Sequence, residues 1–284
     1  MTPGRRASQP LTGAALSADS AAAMSDEIAP LLDEAADQLL AAEYVIALTG
    51  AGLSVESGIP PFRGPGGLWT KYGEPPMDGY ERFLKDPRTA WEDRLSPKGP
   101  MRELWRALDA AVPNLGHLAL VELEELGILR ATITQNIDDL HRTAGSQHLV
   151  EIHGNATRIR CVKCVTRFER SEIDVSTLPP RCPSCSGLLK GDTVAFGEPI
   201  PPDVLERCYD ESGKADCVIV AGTSATVYPA AQFPISVREN GGTLIEVNPY
   251  ESEITPLCAV SLRGDGGTVL PRLVDVLRTR LASS

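Results

Sequence analysis

The sequence predicts an α/β fold: a doubly wound, mostly parallel sheet covered on both faces, with a small zinc-ribbon domain inserted. Three observations predict it. Short apolar runs recur at residues 44–48, 131–134, 217–222 and 243–247, each suited to a buried parallel strand. Helical patterns such as MRELWRALDAA and LALVELEELG lie between them, and strands alternating with helices wind into a parallel sheet. Residues 156–190 then break the alternation with four cysteines and no long helical pattern.

Taken in order, the stretch DEIAPLLDEAADQLLAAE, from Asp26, carries apolar residues at helical spacing and acidic residues near its start. It reads as an amphipathic helix running into the first strand, YVIAL. Residues 1–24 are rich in Ala and Ser around Arg5 and Arg6, without the continuous apolar segment of a targeting peptide. A disordered tail, or a mis-called start with Met24 as the first residue, is expected there. At 284 residues the chain accommodates one large domain, or one large and one small. No apolar run reaches the roughly 18 residues of a membrane span. A net charge of −11 disfavours nucleic acid and anionic membrane as partners.

The strands end in small or polar residues: Thr49-Gly50-Ala51-Gly52, Thr134-Gln135-Asn136, Gly222-Thr223-Ser224 and Asn248-Pro249. Ligands of such sheets sit beyond the strands' carboxyl ends, so these four segments predict one shared crevice.

Within the cysteine-rich stretch, Cys161-x2-Cys164 and Cys182-x2-Cys185 have the spacing of a zinc ribbon. Four thiolates fill zinc's coordination shell, so the metal is expected to be structural. An odd total of seven cysteines argues against a disulfide framework and favours a reducing cytoplasm. Cys208, Cys217 and Cys258 read as packing residues. The module holds seven Arg and Lys against three Asp and Glu, and the charge of about −2 on a four-thiolate zinc site offsets part of that surplus.

The glycine-rich segment GAGLSVESGIPPFRG follows the first strand directly, where bare backbone lets phosphate oxygens approach main-chain N–H groups. Its glycines at 50, 52 and 58 do not match G-x-G-x-x-G, and about 20 positions on, where a dehydrogenase would close a second strand with an acidic residue, the sequence GPGGLWTKYGEPP reads as loop. The plain dehydrogenase reading therefore weakens.

Read together and in order, GAGLSVESGIPPFRG, TQNIDDLH, EIHGN, the four cysteines, VAFGE, GTSATVYPAA and EVNP resemble the sirtuins, NAD-dependent protein-lysine deacylases. The resemblance spans roughly residues 28–280. It implies a Rossmann-like NAD-binding domain at 25–155 and 191–284, with the zinc module at 156–190. It also implies that Gly50, Ala51 and Gly52 cradle the NAD pyrophosphate, that a lid over about 54–69 carries Phe62 and Arg63, and that Arg63 meets phosphate or ribose oxygens. Asn136 and Asp138 would surround nicotinamide, Gln135 the ribose, and Gly222, Ser224 and Asn248 the adenosine half. His153 would be the catalytic base, an imidazole being able to take a proton from a ribose hydroxyl near neutral pH. His117, His141 and His148 are left as structural. Val194, Phe196, Gly197 and Glu198, with Val227 opposite, would bind an acylated-lysine protein or peptide largely through its backbone. NAD would be consumed as co-substrate, and one zinc ion would take no part in the chemistry.

The match departs at three places. Pro61 precedes Phe-Arg where many sirtuins carry a polar residue, and Gly191 stands where the family often has proline. The Tyr-x-x-Arg signature of members that remove acidic acyl groups is replaced by Trp91-x-x-Arg94: Arg94 either binds an acidic acyl group without the tyrosine or lies on a solvated helix face, and the second, favoured reading makes neutral acyl groups, acetyl first, the expectation. Two other activities share the crevice: an ADP-ribosyltransferase or NAD glycohydrolase, and a zinc-ribbon interaction module that only senses NAD.

Overall fold

A computed structural model describes residues 18–283. Helix α1 (Ala18–Ala41) leads into β1 (Val45–Thr49), and a 3-10 turn (Ala51–Ser57) follows at once. Helices α2 (Leu68–Tyr72), α3 (Gly79–Lys85), α4 (Pro87–Leu95), α5 (Gly99–Ala110) and α6 (Leu115–Glu125) precede β2 (Leu129–Thr134). Helix α7 (Leu140–Ala144) and β3 (Leu149–Glu151) close the first half. Strands β4 (Arg158–Cys161), β5 (Arg167–Glu169) and β6 (Leu189–Gly191) form a separate antiparallel sheet. The chain then runs through α8 (Pro202–Lys214), β7 (Cys217–Ala221), α9 (Gln232–Glu239), β8 (Thr243–Val247), β9 (Val260–Leu262) and α10 (Gly266–Ser283).

The large sheet is parallel throughout, in the order β3-β2-β1-β7-β8-β9. With the small sheet set aside this is the doubly wound Rossmann order, in which the winding reverses between β1 and β7. Alternation along β1 shows why its sequence is apolar without a break. Val45 and Ala47 face a cluster built with α1, α6 and α10, while Ile46 and Leu48 face one built with α8 and α9. The small sheet has its own core of Ile159, Cys161, Cys182 and Leu189, completed by Phe83 of α3 and Trp91 of α4.

Two elements depart from expectation. Helix α1 begins at Ala18 rather than Asp26, in keeping with the high helix propensity of the alanines that precede it. The expectation for residues 1–24 thus falls partly on this helix, while positions 1–17 lie outside the described residues. The segment GPGGLWTKYGEPP, read as loop, contains the short helix α2, which buries Leu68 beside Ile59, Leu104 and Leu140. Among the described residues no helix is long and apolar enough to cross a membrane.

Candidate active site and metal centre

The crevice at the winding reversal is closed by direct contact between two loops. Gly50 N–H donates to Ala221 O at 3.0 Å and Gly52 N–H to Gly222 O at 2.8 Å. A Cβ on Gly52 would lie 2.8 Å from Gly222 Cα, and one on Gly222, at φ 62°, would lie 2.2 Å from Leu53 N. Only glycine fits such an approach. The amides of Gly50 and Gly52, expected to be free for phosphate, are therefore committed between the loops. Ala51, first residue of the 3-10 turn, keeps an N–H with no partner inside that turn.

On one side of the glycines a chain of side chains runs inward. Buried Asn136 donates through Nδ2 to Gly50 O at 3.0 Å and to Ser54 Oγ at 3.1 Å. Ser54 Oγ in turn donates to Asp138 Oδ2 at 2.6 Å, and Leu140 N–H to Asp138 Oδ1 at 3.0 Å. Burial raises the Asp138 carboxyl above its ordinary pKa even against these hydrogen bonds. Fully buried Asn155 fixes the loop from below, donating to Asp139 and Glu151 at 2.6 Å each and supporting the left-handed Asp139 at φ 66°.

His153 lies where β3 gives out. Its Nδ1 is 3.0 Å from Gln135 O, and a carbonyl oxygen only accepts, so Nδ1 carries the proton. In the neutral ring Nε2 is then the acceptor, the form a general base requires. Burial pulls the imidazole pKa below its ordinary value, partly offset by the Gln135 bond. The sharp turn after His153 depends on Gly154 at φ 73°, whose Cβ would lie 1.9 Å from Asp192 O.

Gln135 ties this base to the other half of the sheet, its Nε2 donating to Thr223 Oγ1 at 2.9 Å. Asn248 Nδ2 donates to Thr223 O at 2.9 Å, and exposed Ser224 shares a hydrogen bond with Thr226 at 3.0 Å. Beneath them Glu246, fully buried, receives Ser252, Thr255, Ser261 and Arg263 and shapes the loop after β8.

The lid and the 194–198 segment meet through aromatic rings. Phe62 and Trp69 centroids are 5.0 Å apart, and Trp69 and Phe196 centroids 5.7 Å. Arg63 lies over Trp69 at 4.4 Å and pairs at 3.2 Å with Glu74, just beyond the lid. In the neighbouring segment Val194 N–H donates to His153 O at 2.8 Å and Phe196 O accepts Tyr80 N–H at 3.0 Å, which narrows the main-chain groups left for a peptide. Gly197 stands at φ 78°, with Met77 O 3.0 Å from where its Cβ would be. The Glu198 carboxylate is buried and turned to Arg160 and Lys190. Val227 is half-buried at the start of the turn into α9, its carbonyl accepting Ala231 N–H at 2.9 Å.

The four cysteine sulfurs lie within 4.8 Å of one another, with Cys161–Cys185 at 3.5 Å and Cys164–Cys182 at 3.7 Å. A tetrahedron with Zn–S bonds of about 2.3 Å has edges of about 3.8 Å, so the donor set fits one zinc ion. Val165 and Ser186 follow the two Cys-x-x-Cys turns in the same left-handed conformation, at φ 53° and 58°. Gly187 leaves room for Cys161 Sγ, which would lie 2.9 Å from a Cβ there.

With this geometry in place, comparison with known proteins is decisive: the Sir2 family model matches residues 50–229. The chain belongs to the Sir2 family. An NAD-dependent protein deacylase of Pyrococcus abyssi is 46% identical over 258 residues, covering 88% of this chain and 100% of the relative. One from Thermococcus kodakarensis is 47% identical, covering 89% and 98%. A solved Sir2 homolog–NAD complex superposes with TM-score 0.74 at 42% identity over 88% of this chain and 94% of its own. A Sir2 complex with deacetylated p53 peptide and 3′-O-acetyl ADP ribose gives TM-score 0.72 at 34% identity, over 86% and 97%.

In this Sir2 protein the Trp91-x-x-Arg94 segment is not a solvated face. Trp91 is buried and its Nε1 donates to Leu189 O at 2.8 Å. Arg94 is half-buried, donates to Ala156 O at 2.8 Å and lies over Trp105 at 4.9 Å. The space it fills is that of a side chain on residue 191, since a Cβ on Gly191 would lie 2.4 Å from its Nη1. Helix α4 packs on the small sheet, so the face that carries both residues turns inward. Ser54 and Thr223 are central to the crevice though neither is a predicted site residue: Ser54 lies within GAGLSVESGIPPFRG and Thr223 within the strand-end segment Gly222-Thr223-Ser224. His117 and His141 are buried with ring centroids 4.9 Å apart, His141 bonding Thr49 at 2.9 Å, whereas His148 is exposed.

Proposed function

We propose that this Sir2 protein removes acyl groups, acetyl foremost, from protein lysine in an NAD-dependent reaction. The observation that carries the reading is the His153–Gln135 bond, which fixes the proton on Nδ1 and leaves Nε2 as a base beside the NAD crevice. Bound NAD supplies a ribose carbon that the acyl oxygen attacks as nicotinamide leaves, and a ribose hydroxyl that finally carries the acyl group; with one water consumed, the products are lysine, nicotinamide and O-acyl-ADP-ribose.

The chain's own residues prepare that exchange. Gly50, Gly52 and Gly222 hold two loops close enough for Ala51 to face the pyrophosphate. Asn136 and Asp138, joined through Ser54, present an amide donor and a carboxyl to nicotinamide, and the raised Asp138 pKa extends the range in which it donates as well as accepts. Gln135, Ser224 and Asn248 line the ribose and adenosine side. Nε2 of His153 takes the ribose hydroxyl proton. Phe62 and Arg63 close from the lid, which requires Arg63 to exchange Glu74 for the nucleotide. Val194, Phe196 and Gly197, with Val227 opposite, receive the acyl-lysine backbone. Cys161, Cys164, Cys182 and Cys185 hold one zinc ion, whose contribution is to fold its module.

Arg94 bears on acyl choice. Its guanidinium is spent on Ala156 O and Trp105, which supports a neutral acyl group over succinyl or malonyl. A reducing cytoplasm suits seven cysteines that form no disulfide, and the net charge of −11 suits lysine-rich partners better than nucleic acid. The test is mass spectrometry of an acetyl-lysine peptide with and without NAD, with His153→Ala as control. NAD-dependent loss of acetyl together with O-acetyl-ADP-ribose is expected. Nicotinamide released from NAD while acetyl and succinyl peptides stay intact would instead mark a glycohydrolase.

A further inference from the structure

On one face of the small sheet lies a set of buried charges that the proposed chemistry does not use. Arg160 and Lys190 are register partners across β4 and β6, so their side chains emerge together from one face of the small sheet. Side by side and buried, two cations repel unless anions reach both. Glu198 does so: its Oε1 is 2.7 Å from Arg160 Nη2 and its Oε2 2.9 Å from Lys190 Nζ, with the carboxylate 2% exposed. Asp192 takes the remaining Arg160 contact at 2.8 Å.

The same carboxylate also builds the segment proposed to hold the peptide. Glu198 Oε2 accepts Ala195 N–H at 2.9 Å, while Glu198 N–H returns to Ala195 O at 3.0 Å. These two bonds close a turn whose tip is Gly197, with Phe196 facing the lid. Lys190 Nζ adds a second hold, donating to Gly191 O at 2.8 Å and Thr193 O at 2.6 Å. The turn is thus anchored to the strand that ends in the zinc ligand Cys161.

We propose that Glu198, held by Arg160 and Lys190 of the small sheet, clamps the 194–198 turn in its peptide-receiving form, so that all three act as positioning residues for the acyl-peptide. This rests on the deacylase reading. The clamp forms the turn before peptide arrives, so binding does not bear the entropy of ordering it. Glu198 acts on peptide affinity without touching the peptide, and its carboxylate bonds Arg160, Lys190 and Ala195 rather than the loops of the NAD crevice.

The experiment compares zinc-loaded wild type, Glu198→Gln and Lys190→Met for binding of an acetyl-lysine peptide and, separately, of NAD. Peptide affinity is expected to fall about tenfold or more in both variants, as a displaced binding turn requires, with NAD affinity held within about twofold. Lys190→Arg, which keeps the cation, should retain part of the affinity that Lys190→Met loses. A merely structural role would weaken both ligands together or lower only the fraction of active enzyme, and a folded variant with unchanged peptide affinity overturns the clamp. If neither variant folds, amide exchange on wild type decides. Slow exchange at Ala195 without peptide supports a preformed turn, and exchange at the rate of an open loop refutes it. Wild type that neither binds nor deacylates acyl peptides removes the deacylase reading itself, and the clamp with it.

Discussion

His153 Nδ1 and the main-chain oxygen of Gln135 stand 3.0 Å apart, so the tautomer of the proposed base is set by the backbone of the strand-end loop whose Gln135 side chain also reaches Thr223. Because that proton is held by a carbonyl, no carboxylate is available to raise the ring's basicity, and burial lowers it. The working form is neutral, and a lowered pKa keeps it neutral further into acid. Deacylation is therefore expected to fall only as pH drops through a value below the ordinary 6.5, and a pH profile of kcat/KM checks it. His153→Ala should cost about a hundredfold or more in rate while retaining NAD binding, measured by calorimetry.

Gly222→Ala should be far more damaging than Gly58→Ala, although both positions have positive φ. Open space surrounds Gly58, so its cost is the left-handed backbone alone, about 1 kcal/mol. At Gly222 the new methyl meets Leu53 N, and the two loops must separate, adding strain of about 1–3 kcal/mol. Urea unfolding of the two variants compares the losses, and only Gly222→Ala is expected to weaken NAD binding.

Acid stability should reflect the buried histidine pair. Burial pushes His117 down to about 4 and His141 down to about 3, while the unfolded chain titrates near 6.5. Between those values the unfolded state binds more protons, so stability falls as pH falls from 6.5. Thermal scans across pH 5–7 should show that decline, shallower in His117→Gln.

Glu246→Gln is expected to cost about 3 kcal/mol, because Arg263 loses the buried carboxylate it pairs with at 2.9 Å. The loss should appear in urea unfolding, together with weaker NAD binding, since the loop that Glu246 shapes carries Asn248.

Zinc analysis should return about one ion per chain. Chelation, or Cys161→Ser, should remove the small sheet's contribution to circular dichroism and abolish peptide binding, because Cys161 and Cys182 are core residues of that sheet as well as ligands.

What the sequence made legible was local or additive. Buried parallel strands announce themselves because both faces of β1 or β7 are apolar, and Cys-x-x-Cys spacing encodes its own geometry. Strands β3 and β9 passed unnoticed because three residues show no periodicity and pairing alone defines them. The committed amides of Gly50 and Gly52 were invisible for a related reason, their acceptors lying on β7 and in the loop beyond it. Arg94 was misread since only the packing of α4 on the small sheet decides which face turns inward, and the vacancy that admits it is created by Gly191 on a distant strand.

In the proposed function the contact between Trp69 and Phe196 makes one wall common to two ligands, Trp69 standing on the segment assigned to the nucleotide and Phe196 on the turn assigned to the modified lysine. Neither ring can change size without its neighbour moving. Adaptation toward a bulkier acyl chain therefore cannot proceed at Phe196 alone: Trp69 has to make room for it, and the two residues constitute a single evolutionary unit.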